Sequence, residues 1–230
     1  SRMVAAQEAA KVFLKDLPRN IKVGIVTFAG TAQLAQAPTL DRAALISIID
    51  GIQMQRGTAV GSAIVVSLAT LFPDEGIDLS QITGQRAMPA APGEQKAKKP
   101  FTPVESGSFS SGAVILLTDG QRTTGPDPME AAKMAAERGV RVFTVGVGTK
   151  EGEVIGFEGW SMRVRLDEET LKQIANITQG EYFYAGTAVD LKKIYQNLNS
   201  RLVFERRETE VSAMFAGIGA CGVRPSTPCA

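Results

Sequence analysis

Two stretches of this chain carry residues that could do chemistry. The first is VILLTDGQRTTG (114–125), in which an apolar run ends on Thr118, Asp119 and Gly120. The second is RGTAVGSAI (56–64), which sets Thr58 in a glycine-flanked turn at the start of a helical pattern. A carboxylate and a hydroxyl meeting in one crevice would form an oxygen-only donor set, which suits Mg²⁺ or Mn²⁺ and offers none of the soft ligands that zinc or copper prefer. Each residue also has a plainer reading. Asp119 could be a turn aspartate after a strand, and Thr58 could be the N-cap of the helix that follows.

Composition removes several other chemistries. The chain has 230 residues and no histidine. That excludes Ser-His-Asp and Cys-His catalysis and imidazole zinc sites. The net charge is +1, so no basic face invites nucleic acid. Both cysteines, Cys221 and Cys229, lie in the last ten residues and cannot staple a core. The Gly146-x-Gly148 pair lacks the third glycine of a dinucleotide loop, and no phosphate-binding Gly-Lys-Ser/Thr loop is present. No stretch reaches the roughly 20 apolar residues of a membrane span. The opening Ser1 reads as the start of a processed product or a fragment.

Strands and helices alternate along the chain. Residues 3–17 read as a helix with Val4, Val12, Phe13 and Leu17 on its apolar face, closed by Pro18. Residues 21–30 read as a strand and 32–37 as a short edge strand. Asp41 caps a helix running to Asp50. Residues 59–72 form a helix and Ala113–Thr118 a strand. Asp127-Pro128-Met129-Glu130 is a strong helix start, with Gly139 as the stop. Residues 140–148 suit a strand buried on both faces. Asp167 caps a helix to about Thr178, EYFYA (181–185) is a short strand, and Thr187 opens a helix to about Phe204. Trp160 sits in a hairpin-like stretch and reads as a packing anchor. Asn176-Ile177-Thr178 reads as a helix end, although it has the form of a glycosylation triplet. Residues 84–111, rich in Pro, Gly, Ser and Lys, read as a mobile insertion. The domain is expected over 1–204, with a flexible tail over 205–230. The whole is α/β: a doubly wound, mostly parallel sheet with helices on both faces, whose ligand crevice lies outside the carboxyl ends of the strands.

With these motifs in order, the chain resembles the von Willebrand factor type A (VWA) family over about residues 1–210. VILLTDGQRTTGPDPMEAAKMAAERGVRVFTVGVGT is similar to the family's strand, metal-site aspartate, helix and next strand, and GTAVGSAI to its metal-site threonine loop. IGFEGWSMRVRLDEETLKQIA and GEYFYAGTAVDLKKIY resemble a bacterial, membrane-anchored, aerotolerance-type (Bat-like) subset. The resemblance implies a Rossmann-like six-stranded sheet and a metal-ion-dependent adhesion site. Thr58 would be a direct ligand and Asp119 would act mostly through water, while Arg56, Gly57 and Gly120 would shape the loops.

The family's Asp-x-Ser-x-Ser motif occurs nowhere in the sequence. The central first strand that carries it is therefore expected to be missing and the metal site incomplete. Where that subset continues into a membrane helix, the tail MFAGIGACGVRPSTPCA is expected to be a truncated or frame-altered remnant, or an ordinary flexible terminus. The reading that follows is a protein–protein interaction module in which Mg²⁺ or Mn²⁺, held weakly or not at all by this chain, bridges to an acidic partner side chain. No nucleic acid or small-molecule substrate is expected, nor catalysis. The alternatives are a structural remnant with a dead metal site, or a metal-dependent hydrolase using Asp119. Family resemblance places the parent protein at a membrane of the cell envelope, with this chain itself soluble.

Overall fold

A computed structural model describes residues 2–53, 55, 57–77, 79, 101–118, 123–147, 153–157, 160–164, 166–185, 190 and 193–194, with the backbone alone for 2, 3, 5, 153–157 and 160–164. Five α-helices and seven strands alternate among these residues: α1 (Arg2–Asp16), β1 (Val23–Phe28), β2 (Ala32–Thr39), α2 (Arg42–Gly51), α3 (Val60–Leu71), β3 (Ala113–Thr118), α4 (Pro128–Glu137), β4 (Arg141–Val147), β5 (Glu153–Phe157), β6 (Trp160–Val164), α5 (Glu168–Ile177) and β7 (Tyr182–Ala185). A single 3₁₀ turn, Pro73–Glu75, follows α3.

Local chemistry sets the helix ends. The Asp41 carboxylate accepts from the amides of Ala43 and Ala44 at the start of α2. Asp127 accepts from Met129 N–H, with Pro128 in the first turn of α4, and Asp167 accepts from Thr170 N–H at α5. Each cap satisfies N–H groups that the helix itself leaves unpaired. Gly139, at φ +69°, turns the chain out of α4 with its amide on the Ala136 carbonyl.

Two sheets carry the core. β1 and β2 form an antiparallel pair with irregular register between Val23 and Val26. β3, β4 and β7 form a parallel sheet in the order β3-β4-β7, with Ala113 to Thr118 matched to Arg141 to Gly146. β5 and β6 make a separate hairpin in which Phe157 pairs with Trp160. Alternation along the strands feeds two apolar clusters. Val114 and Leu116 of β3 and Val142 of β4 pack with α3, α4 and α5. Ala113, Ile115, Leu117, Phe143 and Val145 pack with Phe13 and Leu14 of α1, with Leu17 just after it, and with Leu45 and Ile49 of α2. Residues 142–146 are all buried, as expected for a central parallel strand.

The doubly wound α/β expectation holds for β3-β4-β7, with helices on both faces. Two local expectations do not. Val4 is 53% exposed, whereas Phe13 and Leu17 are buried as expected, together with Ala9 and Leu14. Second, residues 101–111, expected as the end of a mobile insertion, are docked. Val104 N–H bonds the Glu137 carbonyl and Phe109 N–H the Gly139 carbonyl. Phe109 packs on the core with its ring 5.0 Å from that of Phe72, and the Arg138 guanidinium lies 4.1 Å from the Phe101 ring. Polar composition hid two aromatic anchors, each with a partner distant in sequence. Residues 84–100, Thr187, the helix expected to about Phe204 (apart from residues 190 and 193–194) and the tail 205–230 lie outside the described residues.

Thr178 closes α5, as expected, and does more. It is fully buried, accepts from Val142 N–H at 3.1 Å and donates to the Ile174 carbonyl at 2.9 Å. Its hydroxyl thus joins the end of α5 to β4. Thr178→Val would leave the buried Val142 N–H without an acceptor, at a cost of about 1–3 kcal/mol. Urea denaturation should show that loss, whereas Leu34→Ser, at a 45% exposed position, should stay within about 0.5 kcal/mol. Equal effects would contradict this packing.

Candidate metal-binding site

Three loops converge at the carboxyl ends of β1 and β3. The loop after β1 supplies the Ala29 carbonyl, which accepts from Ala59 N–H at 2.7 Å. The Thr58 loop and the loop after β3 hold each other reciprocally: Thr58 N–H donates to Thr123 Oγ1 at 2.7 Å, and Thr123 N–H donates to the Thr58 carbonyl at 3.1 Å. Thr124 Oγ1 closes the third side by donating to the Gly30 carbonyl at 2.9 Å.

Glycines permit this approach. Gly57 sits at φ +90°, and a Cβ there would come within 2.9 Å of Gly30 Cα. Gly125, at φ +84°, leaves no room for a Cβ beside Ser62 Oγ, which would be 2.8 Å away. Gly61 lets the first turn of α3 meet the Pro126 carbonyl, where a Cβ would stand 2.5 Å from the oxygen.

Thr58 is half-buried and is not the N-cap of α3. That position belongs to Ala59, and no side chain caps the helix. The capping role open to Thr58 in the sequence is therefore not the one it plays. Asp119, Gly120 and Arg56 lie outside the described residues. The strand that leads to Asp119 ends on buried Thr118, paired with Gly146, so β3 runs directly to the rim on which Thr58 stands. Sequence reasoning missed Thr123 and Thr124. Two hydroxyls just before a glycine were a visible signal, but their partners are 65 and 94 residues away. Asp127, three residues beyond Thr124, is committed to capping α4.

Among the described residues, no group of three or more Cys, Asp or Glu gathers as a cation cluster. The described donors at the rim are hydroxyl and carbonyl oxygens. That donor type fits a hard divalent cation and not a soft one.

Family models agree with this architecture. Two models, each described as the von Willebrand factor type A domain, match residues 1–88 and 104–197. The chain belongs to the von Willebrand factor type A family. Its curated relatives include the UPF0353 protein of Mycobacterium bovis, 30% identical over 226 residues, covering 96% of this chain and 60% of the relative. A UPF0353 protein of Nocardia farcinica is 28% identical over 233 residues, covering 95% of this chain and 62% of the relative. The chain thus spans about three-fifths of the length of the curated relatives it matches. Among solved structures it is similar to the conserved hypothetical protein BatB of Bacteroides thetaiotaomicron, with 27% identity, a TM-score of 0.61, and 88% and 89% of the two chains covered. An aerotolerance-related membrane protein of Bacteroides fragilis shares the fold, with 22% identity, a TM-score of 0.62, and 88% of each chain covered. The Bat-like VWA grouping read from the sequence therefore stands.

The crowding at the rim gives a direct check. Gly57→Ala combines positive φ with a close approach to Gly30 and should cost about 1–3 kcal/mol. Gly51→Ala, in helix α2 with nothing within 4 Å of the added Cβ, should stabilise by up to about 1 kcal/mol. Denaturant midpoints of the two variants should move in opposite directions.

Proposed function

We propose that this chain is a protein–protein interaction module. Its rim at Thr58 and Asp119 serves a divalent cation, Mg²⁺ or Mn²⁺, that bridges to an acidic side chain of a partner. The observation that carries this is the reciprocal clamp between Thr58 and Thr123, which ties the threonine loop to the loop that follows Asp119. The cation would supply the positive charge that draws the partner's carboxylate. The chain's own residues fix the geometry. Gly57 and Gly30 bring the loops into contact, and Ala59 N–H bonded to the Ala29 carbonyl holds Thr58 at the end of β1. Thr58 and Asp119 are few donors for Mg²⁺, which sheds its waters reluctantly, so this chain alone holds the ion weakly.

A binding role suits the chemistry better than turnover. Histidine is absent from the chain, and Asp127, the carboxylate nearest in sequence beyond Asp119, already accepts from Met129 N–H. A VWA protein of similar fold, the mussel proximal thread matrix protein 1, is known with zinc in its metal-ion-dependent adhesion motif. The residues over 1–204 act as the interaction domain and 205–230 as a tail. The longer protein works at a membrane of the cell envelope, as the name of the Bacteroides fragilis protein suggests. No described helix is long and apolar enough to cross a membrane.

The second reading, a preserved fold with a dead site, is favoured by the absence of an Asp-x-Ser-x-Ser sequence. Thermal melts with and without millimolar Mg²⁺ or Mn²⁺ separate the two. A cation that binds only the folded state at a hundred times its dissociation constant adds about 2.7 kcal/mol. The binding reading expects a measurable rise in melting temperature that is lost in Thr58→Ala and in Asp119→Ala. A cooperative melt indifferent to both cations would establish the dead site.

A further inference from the structure

The hairpin β5–β6 stands apart from the other helices and strands. Among the described residues, each of its strands makes extensive contact only with the other. Its base is nevertheless pinned. Val147, the last residue of β4, packs in the cluster with α1 and α2. Leu166, just ahead of α5, is buried beside Gly146, where an added Cβ would be 3.1 Å from Leu166 Cδ1. Residues 148–165 therefore leave the carboxyl end of β4 and return to it. Thr118 pairs with Gly146, so this is also the end of the sheet that carries the Thr58 rim.

The strand register sorts the hairpin into two unlike faces. Glu153 pairs with Val164, Ile155 with Met162 and Phe157 with Trp160, and these three pairs share one face. Val154 with Arg163 and Gly156 with Ser161 share the other. The first face is apolar at every position except Glu153, at the base, and it carries the chain's sole tryptophan. A two-stranded hairpin is marginal in water by itself and gains stability from a layer packed over its apolar face.

We infer that the apolar face of β5–β6 packs against the same face of a second copy of this chain. Such a contact is isologous: one surface serves both partners, sheet on sheet. Charge favours this occupant. The net charge is +1, so two copies repel each other little. Over residues 150–165, Lys150, Arg163 and Arg165 are balanced by Glu151, Glu153 and Glu158. That balance provides no basic cluster to hold an anionic bilayer. The area sets the strength. Buried aromatic side chains each remove ~150–250 Å² from water, so Phe157 and Trp160 of two copies together contribute roughly 600–1,000 Å². That is the small end of specific interfaces, so the dimer is weak and reversible. The inference is independent of any cation at the rim.

Sedimentation equilibrium of the full 230-residue chain tests it, in reductant and EDTA, between ~1 μM and ~1 mM. The weight-average mass should rise from 24.4 kDa toward twice that value. Trp160 emission should shift to the blue over the same range. Met162→Ser, on the apolar face, should weaken association by at least ~10-fold. Val154→Ser, the same kind of change on the opposite face, should leave it unaltered. Urea midpoints check that both variants fold, and Ile155→Ser takes the place of Met162→Ser if that variant does not. Four results would each overturn the proposal. The mass stays monomeric throughout, including where phosphatidylglycerol vesicles shift the Trp160 emission, which would make lipid the occupant. Trp160 emission is already blue-shifted at the lowest concentration and indifferent to dilution, which would mean the face is covered within one chain. The substitutions on the two faces weaken association equally. Association appears only when Mg²⁺ replaces EDTA, which would place the contact at the rim.

Discussion

The burial of α3 is the constraint on which the remaining architecture depends. Val60 through Val66 and Leu68 are all buried, so the helix touches structure almost all round. It packs against β1, β2 and β3 on the sheet side and against α4 on another. Small residues make this possible. Gly61 sits against the Pro126 carbonyl, Ala63 is 3% exposed, and Ala131, Ala132 and Ala135 of α4 are nearly solvent-free. Apolar burial contributes roughly 25 cal/mol per Å², and α3 draws on both sheets for it. Among the described residues, the two sheets therefore share a helix although their strands do not pair with one another.

The rim inherits its rigidity from that helix. Thr58 and Ala59 precede its first turn, so any shift of α3 would carry the Ala59–Ala29 and Thr58–Thr123 contacts with it. Backbone groups make most of these contacts, so side-chain type matters at only a few points. Glycine is required at 57 and 125 for backbone conformation and space. Threonine at 123 and 124 supplies hydroxyls that join loops distant in sequence. Loops joined this way hold the rim's backbone in fixed places.

Much of the fold was legible because its signals are local. Asp41, Asp127 and Asp167 marked three helix starts, and all three carboxylates accept amide bonds there. The apolar run over 140–148 read as a doubly covered strand, and β4 is one. What escaped depends on distant partners. The anchoring of Phe101 on Arg138 and of Phe109 on Phe72 could not be seen in a Pro- and Ser-rich stretch. Nor could the hydroxyl of Thr178, committed to a strand 36 residues earlier. At the rim, type and spacing singled out Thr58, and its loop does meet the loop after β3. The geometry of Asp119 lies outside the described residues. Thr123 was overlooked because nothing local distinguishes a clamping threonine from a solvated one.

The irregular pairing near Val23 and Gly24 has a bearing on how this molecule behaves in a crowded solution. Pro38 of β2 lies over Gly24, where an added Cβ would be 3.3 Å from the proline ring. β2 is exposed along most of its length. Proline offers no N–H, and a kinked strand presents a poor template for a foreign one. The outer border of this sheet is thereby blunted against edge-to-edge aggregation. The protein can leave one margin bare to water without polymerising through it.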